Sequence, residues 1–175
     1  MKFLHISDLH IGKYVNGYRM LDDQRYMLER IVEIIKEKNP DALLIAGDIY
    51  DKSLPSAEAV ELFDRFMTEI AGLHGKTGLK TFVISGNHDS PERIGYFNKL
   101  IELNGIFTDG VFEGIARKNT VNVTEKRLIF SRCRLSVRHL CVRYIPKNRL
   151  KLPTIQLLSG LCLNIPISMP MKPIF

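Results

Sequence analysis

The sequence predicts an α/β fold made of consecutive βαβ units, and three observations carry that reading. Three short apolar runs, at residues 2–7, 42–46 and 80–85, each stop at a polar turn sequence. Amphipathic stretches long enough to cross back over a sheet lie between them. The polar stops also recur evenly, with 40 residues from Asp8 to Asp48 and 39 from Asp48 to Asn87. Each interval holds one crossover, and right-handed crossovers bring all three strand ends to one edge of a parallel sheet.

The elements follow in order. Lys2-Phe3-Leu4-His5-Ile6-Ser7 is the first strand, with Asp8-Leu9-His10 at its end. Residues 11–20 carry Gly12, Asn16 and Gly17 and are read as a loop. From Asp22 to Lys38, the residues Met27, Leu28, Ile31, Ile34 and Ile35 recur at helical spacing. Asp22 and Asp23 suit the amino end of that helix, Lys36 and Lys38 its carboxyl end, and Asn39-Pro40 stops it. The second strand, 42–46, is apolar throughout, as a strand buried on both faces must be. It ends at Gly47-Asp48, where glycine permits a sharp turn.

Ser56 is the expected N-cap of a helix over 57–73 whose apolar face is Val60, Phe63, Met67 and Ile70. His74-Gly75-Lys76-Thr77-Gly78 is expected to break it. The third strand, 80–85, ends at Gly86-Asn87-His88-Asp89. Pro91 opens a third helix running to about Leu103, and Asn104-Gly105 stops it. Residues 106–124 alternate short β-like pieces with turns at Gly110 and Gly114.

A chain of 175 residues with 45% hydrophobic and 25% charged residues allows one domain with a real core and an appendage. The opening residues include His5, Asp8 and His10, which is unlike a signal peptide, and no apolar run reaches bilayer length. A cytoplasmic protein with no membrane association is expected. The net charge of +6 hides two compositions. Residues 1–125 hold all 19 acids against 15 Lys and Arg, a balance of −4; residues 126–175 hold 10 Lys and Arg and no acid, a balance of +10. Cys133, Cys141 and Cys162 all follow residue 125, so the first part offers neither a disulfide nor a thiolate site.

The chemistry sits at the three strand ends. Asp8 and His10 are two residues apart, and in extended chain such residues share a face and can reach one cation. Asp48 falls at the carboxyl edge, where open α/β sheets place their ligands, and its two oxygens can bridge two cations. Taken alone, Asp8 and His10 are more readily a turn aspartate and a surface histidine, and Gly47-Asp48 a common turn dipeptide; Asn87-His88-Asp89 alone is equally a polar turn. Together they form an Asp/His/Asn set without thiolate, suited to Mn2+ and related divalent ions. Two such ions about 4 Å apart activate water and stabilise an in-line phosphoryl displacement. His88, beside Asn87, is placed to donate a proton to the leaving oxygen.

Asp8-Leu9-His10, Gly47-Asp48-Ile49-Tyr50-Asp51 and Gly86-Asn87-His88-Asp89 resemble the D-x-H, G-D-x-x-D and G-N-H-D blocks of the calcineurin-like metallophosphoesterases. The flanking text, His5 to Lys13, Asp23 to Phe66 and Thr81 to Arg93, is similar to the SbcD-type nuclease subunits of bacterial SbcCD complexes. The resemblance covers about residues 1–125. It implies a β-sandwich with flanking helices, truncated here to its N-terminal βαβαβα half. It also implies that Asp8 and His10 hold a first metal, Asp48 bridges, Asn87 holds a second, and His88 faces the scissile phosphate. The implied activity is DNA exonuclease and endonuclease cleavage of phosphodiester bonds in repair and recombination, with two divalent ions, most simply Mn2+. The implied partners are double-stranded DNA ends and hairpins, a second copy of the chain, and the SbcC ATPase in a heterotetramer. The three blocks are shared by phosphatases and by cyclic or small-molecule phosphodiesterases, so those activities stay open, as does a non-catalytic remnant keeping only dimer or DNA contacts.

Relatives of this kind use further ligands downstream, a lone histidine and then a G-H-x-H block. After His88 this sequence has only His139, in Val137-Arg138-His139-Leu140, which fits neither. Weak metal binding and little or no turnover are therefore expected. The acid-free tail after residue 125 also holds five of the eight prolines and shows no clean helix or strand period. It is read as the product of a reading-frame shift with early termination and is expected to be poorly ordered; a basic DNA-binding extension is the alternative.

Overall fold

The computed structural model describes residues 2–96 and 98–110 in full and, beyond them, the backbone of strands at 117–123, 126–132, 140–146 and 155–157. The elements are β1 (Phe3–Ile6), β2 (Tyr14–Val15), β3 (Tyr18–Arg19), α1 (Leu21–Lys38), β4 (Ala42–Ala46), α2 (Ala57–Thr77), β5 (Lys80–Ile84), α3 (Pro91–Ile94), α4 (Asn98–Glu102) and β6 (Ile106–Asp109). They are followed by β7 (Arg117–Val123), β8 (Lys126–Arg132), β9 (Leu140–Pro146) and β10 (Ile155–Leu157).

Strands β1, β4, β5 and β6 form one sheet in that order, all parallel, with Leu4 paired to Leu43, Leu44 to Phe82 and Phe82 to Phe107. Strand order follows chain order, so successive crossovers step in one direction across the sheet. The expected α/β fold with a parallel sheet and flanking helices is thus present. Ala42, Leu43, Leu44 and Ile45 are all fully buried, as a central strand covered on both faces requires. Leu43, Ile45 and Val83 pack with Leu28, Val32, Ile35, Phe66 and Ile70 of the two long helices. Phe82, on the other face, is also fully buried and stacks on Phe107 at 5.2 Å. Strands β7 to β10 form a second, antiparallel sheet in the order β10-β9-β8-β7.

Several sequence expectations shift. The 11–20 segment is not simply a loop: β2 and β3 pair as a hairpin, with Asn16 and Gly17 at φ 51° and 82°. Two successive left-handed residues make the tight turn that Asn-Gly favours. The buried face of α1 is Leu21, Gln24, Leu28, Val32 and Ile35; Ile34 is exposed. On α2 the buried residues are Ala59, Leu62, Phe66, Ile70 and Leu73, with Val60 exposed. Helix α2 starts at the predicted Ser56 cap, whose hydroxyl accepts from the Ala59 N–H at 3.3 Å. It runs through His74 and Gly75 rather than breaking there, because Gly78, at φ 75°, supplies the left-handed turn that ends it. His74 Nδ1 lies 2.8 Å from the Leu79 carbonyl and fixes the exit.

The expected third helix is two short ones, separated at Gly95-Tyr96. A β-carbon on Gly110, the residue after β6, would lie 1.7 Å from the Pro91 carbonyl oxygen, so the end of β6 passes against the first turn of α3. In the tail beyond residue 125 the backbone at 126–132, 140–146 and 155–157 runs as strands. The rest of that tail, including His139, lies outside the described residues.

Candidate metal centre

Backbone hydrogen bonds continue past the ends of β1 and β4 and zip the two loops together. The Asp8 N–H donates to the Gly47 carbonyl at 3.1 Å, His10 to Asp48 at 2.9 Å, Ile11 to Ile49 at 2.8 Å, and Asp51 back to Ile11 at 3.1 Å. The path is not extended. Asp8, His10 and Asp48 have φ of 57°, 44° and 50°, and Gly47 has 83°. The i, i+2 argument that placed Asp8 and His10 on one face therefore fails in its reason, since both are left-handed. Their side chains still converge, because the turn curls the chain around a single point. Left-handed aspartate and histidine are uncommon, and such residues gather at functional sites.

One ligand atom from each of Asp8, His10 and Asp48 lies within 4.8 Å of the others. Asp8 is exposed, His10 half-buried and Asp48 buried. His10 Nδ1 is a buried ring nitrogen with no hydrogen-bond partner. The Asp51 carboxylate is 3.6 Å away, too far for a hydrogen bond, and forms an ion pair with it only if the ring is protonated. Two carboxylates and an imidazole whose buried Nδ1 has no hydrogen-bond partner suit a divalent cation. The residues present therefore fit a divalent metal.

The third loop closes over this point. The His88 N–H donates to Asp48 Oδ1 at 3.1 Å, so Asn87, which is exposed, sits on the segment directly against the buried aspartate. His88 Nδ1 lies 3.0 Å from the Asp51 carbonyl, which can only accept, so Nδ1 carries the proton and Nε2 is the ring atom left for a substrate. The imidazoles of His10 and His88 meet edge to face, with centroids 4.9 Å apart. All five sequence-predicted site residues thus lie on three loops joined by direct hydrogen bonds, with Asp8, His10 and Asp48 forming the cluster itself.

Three supporting residues were not singled out from the sequence. Asp89 is buried, and its carboxylate accepts from Ile49 N–H at 3.1 Å, Tyr50 N–H at 2.9 Å and Gly86 N–H at 2.8 Å. It ties the second loop to the third. Asp51 meets both histidines, one through its carbonyl and one through its carboxylate. Gln24, on α1, bonds the backbone of the first loop. Its signal was available: residues 21, 24, 28, 32 and 35 make a continuous helical stripe on which position 24 alone is polar.

Among the described residues no helix is long and apolar enough to cross a membrane. The model of one protein family, described as calcineurin-like phosphoesterase, matches residues 1–148. The match runs past Glu125, where the composition changes, and takes in the segments of β7, β8 and β9.

Proposed function

The chain belongs to the calcineurin-like phosphoesterase family, a family of metal-dependent phosphoester hydrolases, and from that premise we propose that it is the metal-holding part of an SbcD-type DNA nuclease. The observation that carries the hydrolase reading is the convergence of Asp8, His10 and Asp48 within 4.8 Å at the carboxyl edge of a parallel sheet. Divalent ions, most simply Mn2+, supply water activation and charge neutralisation at phosphate when bound. Asp8 and His10 would hold a first ion, Asp48 would serve both, and Asn87 would serve a second. His88, fixed through Nδ1, presents Nε2 and in its imidazolium form donates the proton that the departing oxygen needs.

The flanking text favours DNA over smaller phosphoesters. The hairpin that follows His10 supports the same choice: Tyr14 and Tyr18 are 60% and 76% exposed, with Lys13 and Arg19 beside them in sequence. Aromatic faces stack on bases and cations meet phosphates. In this reading the substrates are double-stranded DNA ends and hairpins, and the complete assembly contains a second copy of the chain and the SbcC ATPase. The exposed apolar residues Tyr96, Leu100 and Leu103 are consistent with self-association. Within residues 1–175 only His139 follows His88, so these residues by themselves are expected to bind Mn2+ weakly and to turn over little or nothing.

The test is Mn2+ titration by electron paramagnetic resonance, with and without a blunt DNA duplex, alongside hydrolysis of the duplex and of bis-p-nitrophenyl phosphate. The expected result is weak Mn2+ binding lost in Asp48→Ala, with duplex DNA tightening it. Hydrolysis of the small ester without any effect of DNA replaces the nuclease reading with a small-molecule phosphodiesterase. Absence of Mn2+ binding removes the metal centre altogether. Vigorous DNA cleavage that Asp48→Ala abolishes keeps the nuclease and overturns the incomplete site.

A further inference from the structure

We propose that Gln24 is a positioning residue of the metal centre, holding the Leu9–Gly12 backbone and through it Asp8 and His10; this rests on the phosphoesterase reading of the same site. The side-chain amide makes three hydrogen bonds to one loop. Its Oε1 accepts from the Gly12 N–H at 2.9 Å, and its Nε2 donates to the His10 carbonyl at 2.7 Å and to the Leu9 carbonyl at 3.3 Å. Gln24 is 9% exposed and sits on a helical stripe whose other members are Leu21, Leu28, Val32 and Ile35.

A buried amide that merely satisfied itself would need no particular partner. These partners are particular. Leu9 and Gly12 flank His10, and His10 is both a candidate ligand and a left-handed residue. Its carbonyl is one of the three groups held. The same loop also lies close to α2, since a β-carbon on Gly12 would approach the Ala59 side chain to 3.1 Å. The turn that carries Asp8 and His10 is therefore held against both long helices, and Gln24 is the polar part of that contact.

The chemistry required at position 24 is narrow. One acceptor must face the Gly12 N–H while two donors face carbonyls. A primary amide on a two-methylene stem supplies that set. Leucine fills a similar volume but leaves the inward-facing N–H and C=O groups without their partner. Glutamate keeps the acceptor and sets its second oxygen against two carbonyls. Groups that orient metal ligands from behind commonly change metal affinity 10- to 100-fold when replaced.

The experiment compares the full chain with Gln24→Leu and Gln24→Glu by Mn2+ titration, the Mn2+ resonance line shape, and thermal unfolding with and without Mn2+. The expected result is a loss of Mn2+ affinity of roughly 10-fold or more in both variants. The line shape should broaden, and the Mn2+-induced rise in Tm should shrink, even where the metal-free Tm of Gln24→Leu is kept. A folded Gln24→Leu with wild-type Mn2+ affinity overturns the proposal and leaves Gln24 as core filling. If Gln24→Leu does not fold, Gln24→Glu decides by the same criterion. Asp48→Ala separates the two levels: if it leaves Mn2+ binding unchanged, the site reading itself fails, whereas Mn2+ binding sensitive to Asp48 and indifferent to Gln24 sinks only the role given to Gln24.

Discussion

A β-carbon on Gly86 would lie 2.0 Å from Asp48 Oδ1 and 2.2 Å from the Asp48 backbone nitrogen. The glycine is required by proximity rather than by its own dihedral angles. Asp48 is itself left-handed, and the loop bearing Asn87 and His88 must pass almost on top of it. Gly86→Ala forces that loop away from the carboxylate. The expected outcome is a loss of about 2–3 kcal/mol in stability together with loss of Mn2+ affinity, read by urea denaturation and metal titration. Wild-type behaviour in both would mean that the two loops do not pack this closely.

Asp89 makes a second, different prediction. Its carboxylate takes three backbone N–H groups from two loops that lie about 40 residues apart in sequence. Asp89→Ala strands buried donors, and hydrogen bonds to a charged acceptor contribute about 1.5–3 kcal/mol each. The expected destabilisation is at least about 3 kcal/mol. Asp89→Asn keeps one oxygen and turns an amide N–H toward a donor, so it should recover only part of the loss. The slope of the urea transition should stay constant across the pair, since the surface exposed on unfolding is unchanged.

Tyr50 predicts behaviour at alkaline pH. Burial, and then the Asp89 and Asp64 carboxylates, push its phenol up to about 12. The ring packs edge to face on Phe63 with centroids 5.7 Å apart. An unfolded tyrosine titrates near 10. The neutral phenol is therefore favoured by folding, its contribution is complete below pH 10, and it is lost as pH rises from 10 through about 12. Tyrosinate absorbance should show a late phase in that window that Tyr50→Phe removes. The same variant should lose less stability between pH 10 and 12 than the wild type.

The strand ends were legible in the sequence because three independent signals coincide at each: an apolar run, a stop, and a hard ligand. Asp48 and Asp8 could be placed at one edge from the even spacing alone. The reasons were less legible than the outcome. Extended geometry predicts a shared face for Asp8 and His10; aspartate and histidine enter the left-handed region more readily than most residues, but that mark is too weak to fix a turn. Asn16-Gly17 did carry its mark, and the hairpin was missed only because its strands are two residues each. Asp51 and Asp89 were hidden for a different reason, and the polar place of Gln24 on its apolar stripe did not name its partners. Each acts on backbone groups or on another side chain, so its partners are known only once the loops meet.

The faces of the long helices give the last prediction. Counting apolar residues on α1 selected Ile34, while Val32 was not chosen. The structure buries Val32 to 3% and leaves Ile34 39% exposed. The sequence alone is ambiguous here, because Ile31, Val32, Ile34 and Ile35 occur within five positions and two overlapping stripes can be drawn through them. Leu21 and Leu28 break the tie: positions 21, 28, 32 and 35 lie on one face of a 3.6-residue helix, whereas 34 lies roughly 130° round from its centre. Val32→Ala removes two buried methyl groups against the sheet and should cost about 2 kcal/mol. Ile34→Ala removes more carbon but from a side chain left 39% exposed, and it gains helix propensity by replacing a β-branched residue. Its cost should stay below about 1 kcal/mol. The smaller deletion is thus expected to be the more damaging one, and equal losses from the two variants in urea denaturation would mean that α1 is rotated on the sheet.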